Sequence, residues 1–209
     1  MARGEKVKVV FDIDNTLSDG RARTLAVGQA WDKLNGTHYF DRVPLTRIGH
    51  DAGDTSIALG IPPEKREAFA AFWEKQFWAP ESFVHDTPIK DTVALVKAAS
   101  QAGAEIVYLT GRVANLEPAT IAQLERFGLP NVDGDHVVTK PDVSVKTTQY
   151  RTGWLRDHEP RATAFFFTES RRDIADAQAK LPGLACVLLK SPFGGDTPVR
   201  ADTPVFRVD

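Results

Sequence analysis

Two carboxylates two positions apart, Asp12 and Asp14, stand at the end of an apolar run in the string Asp12-Ile13-Asp14-Asn15-Thr16. Carboxylates at such a place can act as a nucleophile, as a proton donor and acceptor, or as oxygen ligands for a hard divalent cation. By itself an Asp-x-Asp in a loop is more often a turn or capping device. Three further strings shift that balance. Leu109-Thr110-Gly111-Arg112 offers a hydroxyl, an unhindered backbone amide and a fixed cation, groups suited to a phosphate; in isolation it is a Thr-Gly turn with a surface arginine. Lys146 opens a helical pattern, where the helix dipole favours negative charge, and a bound anion would resolve that conflict. Thr168-Glu169-Ser170-Arg171-Arg172-Asp173 sets two acids four positions apart after the most hydrophobic run, which is also how an ordinary helix start is capped. Each string has an ordinary explanation, but all four fall in order at the carboxyl ends of strands or at helix starts.

The elements that must position these groups are read from hydrophobic periodicity. Residues 7–11, 105–109, 162–167 and 184–189 form short β-rich runs, with a weaker one at 136–139, and helical patterns cover 87–102, 117–127, 146–158 and 171–181. Strands alternating with helices predict an α/β fold, an open three-layer Rossmann-like parallel sheet that binds ligands beyond its strand carboxyl ends. The segment 18–85 breaks the alternation. It has helical patterns at 20–34 and 64–78 and is rich in aromatic residues, among them Trp31, Phe40, Phe69, Trp73 and Phe77. The economical description is an α-helical cap at 18–85 inserted into a core made of 1–17 and 86–209, its aromatics forming its own interior. Arg47 and His50, flanking Ile48-Gly49, are the cap groups nominated to touch substrate.

The four strings together resemble the motifs of the haloacid dehalogenase-like (HAD) hydrolase superfamily, in particular its phosphatase branch with a helical cap between motifs one and two. Asp12 and Asp14 match motif one, Thr110 and Gly111 motif two, Lys146 motif three, and Glu169 with Asp173 motif four. Lys140, before Pro141, is the other lysine that could serve as motif three; the helix start holds Lys146 more firmly. Glu169 stands where the pattern usually has Asp. The resemblance implies an Mg²⁺-dependent phosphatase acting on a small phosphomonoester through an aspartyl-phosphate at Asp12, with Asp14 as acid and base. Mg²⁺ would sit on Asp12, the Asp14 carbonyl and Glu169. Lys146, Thr110 and Gly111 would hold phosphate oxygens, Arg112 a further substrate phosphate, and Asp173 would orient the metal shell or the lysine. A phosphotransferase or phosphomutase of the same superfamily, or a phosphate- or nucleotide-binding module without turnover, are the alternatives.

Composition limits the partners. Lys and Arg number 26 against 28 Asp and Glu, a formal charge of -2, so there is no general attraction to polyanions; this favours a small phosphorylated metabolite or nucleotide over long nucleic acid. Apolar runs such as Ala164-Phe165-Phe166-Phe167 are far shorter than the roughly 20 residues that span a bilayer. The single cysteine, Cys186, excludes an internal disulfide, and the charged first residues lack an apolar signal core. A cytoplasmic setting is the expectation. No Gly-x-x-x-x-Gly-Lys-Ser/Thr loop is present, and the five histidines show no ligand spacing.

Overall fold

Valines, isoleucines and phenylalanines in short runs build the sheet, and the helices between those runs cover it. The computed structural model describes residues 7–158, 165–191 and 196–207. Along the chain lie β1 (Lys8–Phe11), β2 (Ser18–Asp19), α1 (Arg21–Asn35), α2 (Ala52–Ala58), α3 (Pro63–Phe77), β3 (Thr87–Pro88), α4 (Lys90–Gln101), β4 (Glu105–Val113), α5 (Glu117–Arg126), β5 (Val137–Lys140), α6 (Thr147–His158), β6 (Phe165–Thr168), α7 (Arg171–Lys180), β7 (Ala185–Lys190) and β8 (Val205–Arg207), with short 3-10 turns between them. The chain divides into two compact units, Met1–Ser18 with Pro88–Asp209, and Asp19–Thr87.

The first unit is an α/β fold whose six strands run in the order β5-β4-β1-β6-β7-β8, every pairing parallel. Side chains alternate across each strand, so both faces must be covered. Val9, Phe11, Ile106 and Tyr108 pack on one face with Val93 and Val96 of α4 and Leu124 of α5. Val10, Val107, Leu109, Phe166 and Leu188 pack on the other with Leu155 of α6 and Ile174 and Ala177 of α7. β1 lies between β4 and β6, with Phe11 opposite both Tyr108 and Phe167. The chain segments leaving Phe11, Tyr108 and Phe167 therefore converge on one end of the sheet.

Departures from the sequence expectations are local. β4 runs on to Val113 through Thr110-Gly111-Arg112, with a register shift between Leu109 and Val113, where a loop was expected. The expected strand at 162–167 is described from Phe165; its first three residues lie outside the described ones. The helix expected from 87 begins at Lys90, because Thr87 precedes a proline and takes up extended pairing instead. β8, with three residues, and the seven-residue α2 are too short to show a period; α2 is started by Asp51, whose carboxylate accepts from the Asp54 amide at 2.8 Å.

The second unit, Asp19–Thr87, has its own core of Val27, Trp31, Phe40, Ile48, Phe69, Trp73 and Phe77. The Phe40 ring lies against Gly28 so closely that a Cβ there would stand 2.2 Å from it. Arg23 is wholly buried: Nε and Nη2 each donate to Asp86 at 2.8 Å, Nη1 donates to the Phe77 carbonyl at 3.2 Å, and the guanidinium sits 3.8 Å from the Phe77 ring centre. Among the described residues no helix is long and apolar enough to cross a membrane.

Candidate active site

β1 ends at Phe11, and Asp12 comes next with its amide still donating to the Phe167 carbonyl of β6 at 2.9 Å. The next residues form a tight loop in which the amides of Thr16, Leu17 and Ser18 all donate to the Ile13 carbonyl, and Asn15 takes a left-handed φ of 57°. Asparagine tolerates that conformation better than most residues. Asp12 is only 1% exposed. Its Oδ1 accepts from the Ile13 amide at 2.7 Å and from Arg151 Nη2, and its Oδ2 accepts from the Thr168 hydroxyl at 3.0 Å.

Arg151 is the residue at this candidate site that the sequence motifs did not reveal. It projects from α6 on the same stripe as Thr148, Thr152 and Leu155, the three- and four-residue spacing of one helix face. One arm, Nη2, meets Asp12; the other, Nη1, meets Asp173, which also accepts from the Thr148 hydroxyl. The structure thus places Arg151 beside Asp12, where Lys146 was expected. Lys146 precedes the first turn of α6 and is exposed, while Lys140 donates to the Val145 carbonyl at 3.0 Å. The physical reason is reach: a residue one turn into the helix faces the sheet, whereas the residue before the helix faces out. The available signal was an arginine lying on the otherwise inward stripe of α6.

Glu169, after β6, donates its amide to the Thr16 hydroxyl at 3.2 Å, and its Oε2 is buried with no hydrogen-bond partner among the described residues. Asp12, Glu169 and Asp173 thus surround a single guanidinium. Burial pushes the Asp12 carboxyl up to about 6, Arg151 pulling it down and Asp173 and Asp14 pushing it further up. Burial, and after it the repulsion of Asp12, pushes Glu169 up to about 9, against the pull of Arg151. Burial alone would ease the proton off Arg151, but Asp12 and Asp173 outweigh it and hold the guanidinium charged more firmly than usual.

This imbalance fits a cation. Among the described residues no three His, Cys, Asp or Glu side chains group as metal ligands. The groups that could hold one are the Asp12 and Glu169 carboxylates with the backbone carbonyl of Asp14, all hard oxygen, of the kind magnesium takes while keeping several waters. The buried Glu169 Oε2, without a hydrogen-bond partner among the described residues, is the observation that supports the fit.

Thr110 is fully buried, its hydroxyl accepting from the Arg112 amide at 3.2 Å. Gly111 faces Thr147 at the start of α6, and a Cβ would stand 2.6 Å from the Thr147 methyl, so the residue type is set by this close approach. The Arg112 side chain does not extend outward to a substrate phosphate. It turns inward, only 1% exposed, and grips Asp14 with two hydrogen bonds of 3.0 and 2.7 Å while its Nη1 donates to Gln123 at 2.7 Å and to Thr120 at 3.3 Å. Arginine in a buried strand end finds its carboxylate inside the protein, an outcome invisible from the Thr-Gly-Arg string. In the second unit Arg47 is exposed and donates to the Ala58 carbonyl, and His50 is exposed close by in the chain.

No protein-family model and no curated protein matches the sequence. Solved structures do match in fold. A haloacid dehalogenase-like family hydrolase from Streptococcus pneumoniae aligns at a TM-score of 0.60 with 12% identity, over 88% of this chain and 85% of that one. Protein Tyrosine Kinase A from Mycobacterium tuberculosis aligns at 0.61 with 18% identity, over 99% and 95%. A HAD family hydrolase from Deinococcus radiodurans, solved with bound phosphate and sodium, aligns at 0.55 with 18% identity, over 91% and 85%. The chain has the fold of the HAD-like hydrolases, a Rossmann-like parallel sheet flanked by helices.

Proposed function

We propose that the protein is an Mg²⁺-dependent phosphatase that hydrolyses a small-molecule phosphomonoester through an aspartyl-phosphate on Asp12, with the Asp19–Thr87 unit as its cap. The observation that carries this reading is the crowding of Asp12, Glu169 and Asp173 around Arg151 at the carboxyl end of the central strand. Likeness in fold to HAD family hydrolases, one of them solved with phosphate, supports it.

Asp12, pushed up to about 6, is ionised at neutral pH and attacks phosphorus, taking the phosphoryl group onto a carboxylate oxygen as the ester oxygen leaves as an alcohol or phenol. Arg151 starts on Asp12 and transfers one arm to the phosphoryl oxygens as charge builds on them, while Asp173 retains the other arm and fixes the guanidinium plane. The Thr110 hydroxyl and the Gly111 amide hold the remaining oxygens. Asp14, oriented by Arg112, passes a proton to the leaving oxygen and later takes one from the water that cleaves the acyl phosphate. Asp12, the Asp14 carbonyl and Glu169 would hold a magnesium ion, which would supply positive charge against the phosphoryl oxygens. Lys146 has no part in this scheme. Arg47 and His50 are the cap residues proposed to meet substrate.

The test is phosphate release from an aryl phosphate and a panel of phosphorylated metabolites, with Mg²⁺ and with chelator. Mg²⁺-dependent release that Asp12→Asn abolishes is the expected result. Release unchanged by chelator or by Asp12→Asn would overturn the reading.

A further inference from the structure

A groove of about 830 Å³ lies in the first unit, outside the Asp12 cluster, lined by the end of β5, the loop before α6, the first turn of α6 and one side of α7 from Arg172 to Lys180. Its charge is lopsided. Lys140, Lys146, Arg172 and Lys180 line it against a single carboxylate, Asp176. That carboxylate is already committed, accepting from the Thr152 hydroxyl at 2.5 Å and from Lys180 at 2.8 Å. Lys146 and Arg172 are exposed and pair with no carboxylate among the described residues. The first turn of α6 holds no acidic residue, and Thr147 and Thr148 from that turn face the groove, so helix amides and hydroxyls add to the positive field.

Two further features define what would fill it. The volume falls within the roughly 300–1,000 Å³ of small-ligand sites, well beyond the need of one inorganic ion. Val143, on the lining, is 83% exposed, an apolar side chain presented to solvent beside four cations. A cationic floor with an apolar rim suits an anion joined to a ring.

We propose that this groove is a second anion site, which binds a nucleoside diphosphate: the pyrophosphate group lies on Lys146, Arg172 and the start of α6, and the base lies against Val143. The site is independent of the chemistry at Asp12, since none of the groups assigned to that chemistry lines it. Two lining residues touch groups of that chemistry: Thr148 donates to Asp173, and Thr147 packs on Gly111.

The test is calorimetric titration of ADP and of inorganic pyrophosphate into the full-length Asp12→Asn protein at low salt. With the proposed nucleophile removed neither probe is turned over, and the groove variants separate binding here from binding at the phosphate-holding groups beside Asp12. Both probes are expected to bind saturably at one site. Lys146→Glu with Arg172→Glu is expected to weaken both by about tenfold or more, whereas Lys33→Glu with Lys65→Glu, an equal charge change on exposed lysines of the second unit, changes them by less than about twofold. Val143→Ser is expected to weaken ADP and leave pyrophosphate unchanged. Absence of saturable binding up to about 1 mM, or equal weakening by the two charge-reversal pairs, overturns the site. Equal ADP and pyrophosphate behaviour in Val143→Ser overturns the nucleoside assignment.

Discussion

Two of the buried arginine–carboxylate clusters are built on opposite principles. In the second unit Arg23 meets Asp86 through two matched hydrogen bonds and spends its third nitrogen on a carbonyl, with Phe77 stacked beneath it. In the first unit one guanidinium, Arg151, is shared by Asp12 and Asp173 with Glu169 beside them, and an oxygen of Glu169 lacks a hydrogen-bond partner among the described residues. A matched pair lowers the cost of burial and holds a fold together. An unmatched cluster of carboxylates raises that cost, as the upward push on Asp12 and Glu169 records, and the surplus negative charge is what an incoming cation relieves. The first cluster is architecture, and the second is the proposed site.

Substitutions in each cluster should therefore fail in different ways. Asp12→Asn is expected to lower Mg²⁺-dependent phosphate release by about a thousandfold or more, seen in steady-state kinetics. Arg23→Ala leaves Asp86 buried without its guanidinium and should cost about 3–5 kcal/mol in denaturant unfolding, its effect on activity arising from lost fold rather than lost chemistry. Arg151→Met should reduce kcat by about a hundredfold, while Lys146→Met changes it less than about threefold; the reverse ranking would return the phosphate-binding role to Lys146.

A smaller effect separates the clusters by pH. Glu169 holds its proton in the folded protein up to about 9 but releases it near 4.5 when unfolded, so the folded state binds more protons between those values. Stability from this group is complete below the lower value and is lost as pH rises through the higher one. Glu169→Gln removes that slope, and the variant should melt about 4 °C or more above wild type at pH 8 without metal. Magnesium should raise the melting temperature of wild type and release a proton near pH 8, and do neither in Glu169→Gln; buffer-dependent calorimetry reads the proton directly. No comparable pH slope arises if Glu169 is ionised in the metal-free protein.

How much of the fold and site was legible in the sequence depended on whether a feature is local. The strands 105–109 and 184–189 and the helices 117–127 and 171–181 declare themselves because burial on one or both faces imposes a period on the residues. Asp12, Asp14 and Glu169 could be picked out because they come just after strands, and Thr110 and Gly111 because they continue the run of β4, where the chain has no freedom to carry them elsewhere. Arg112 and Arg151 could not be placed. A long cation reaches its partner in three dimensions, and Arg112 finds Asp14 across 98 positions of sequence, Arg151 Asp12 across 139. Lys146 drew attention as a cation at a helix start, yet the side of α6 that faces the sheet begins only at Thr148 and reaches Arg151.

The central claim is that the unmatched cluster holds magnesium and a phosphoryl group on Asp12. A crystal structure with Mg²⁺ and beryllium trifluoride, which mimics the phosphoryl group on an aspartate, tests it most directly. The expected result is the beryllium bonded to an Asp12 oxygen, the metal on Asp12, the Asp14 carbonyl and Glu169, and one arm of Arg151 moved from Asp12 to a fluorine. Metal and fluoride bound elsewhere, with Arg151 still closed on Asp12 in a protein that hydrolyses phosphate esters, would contradict it.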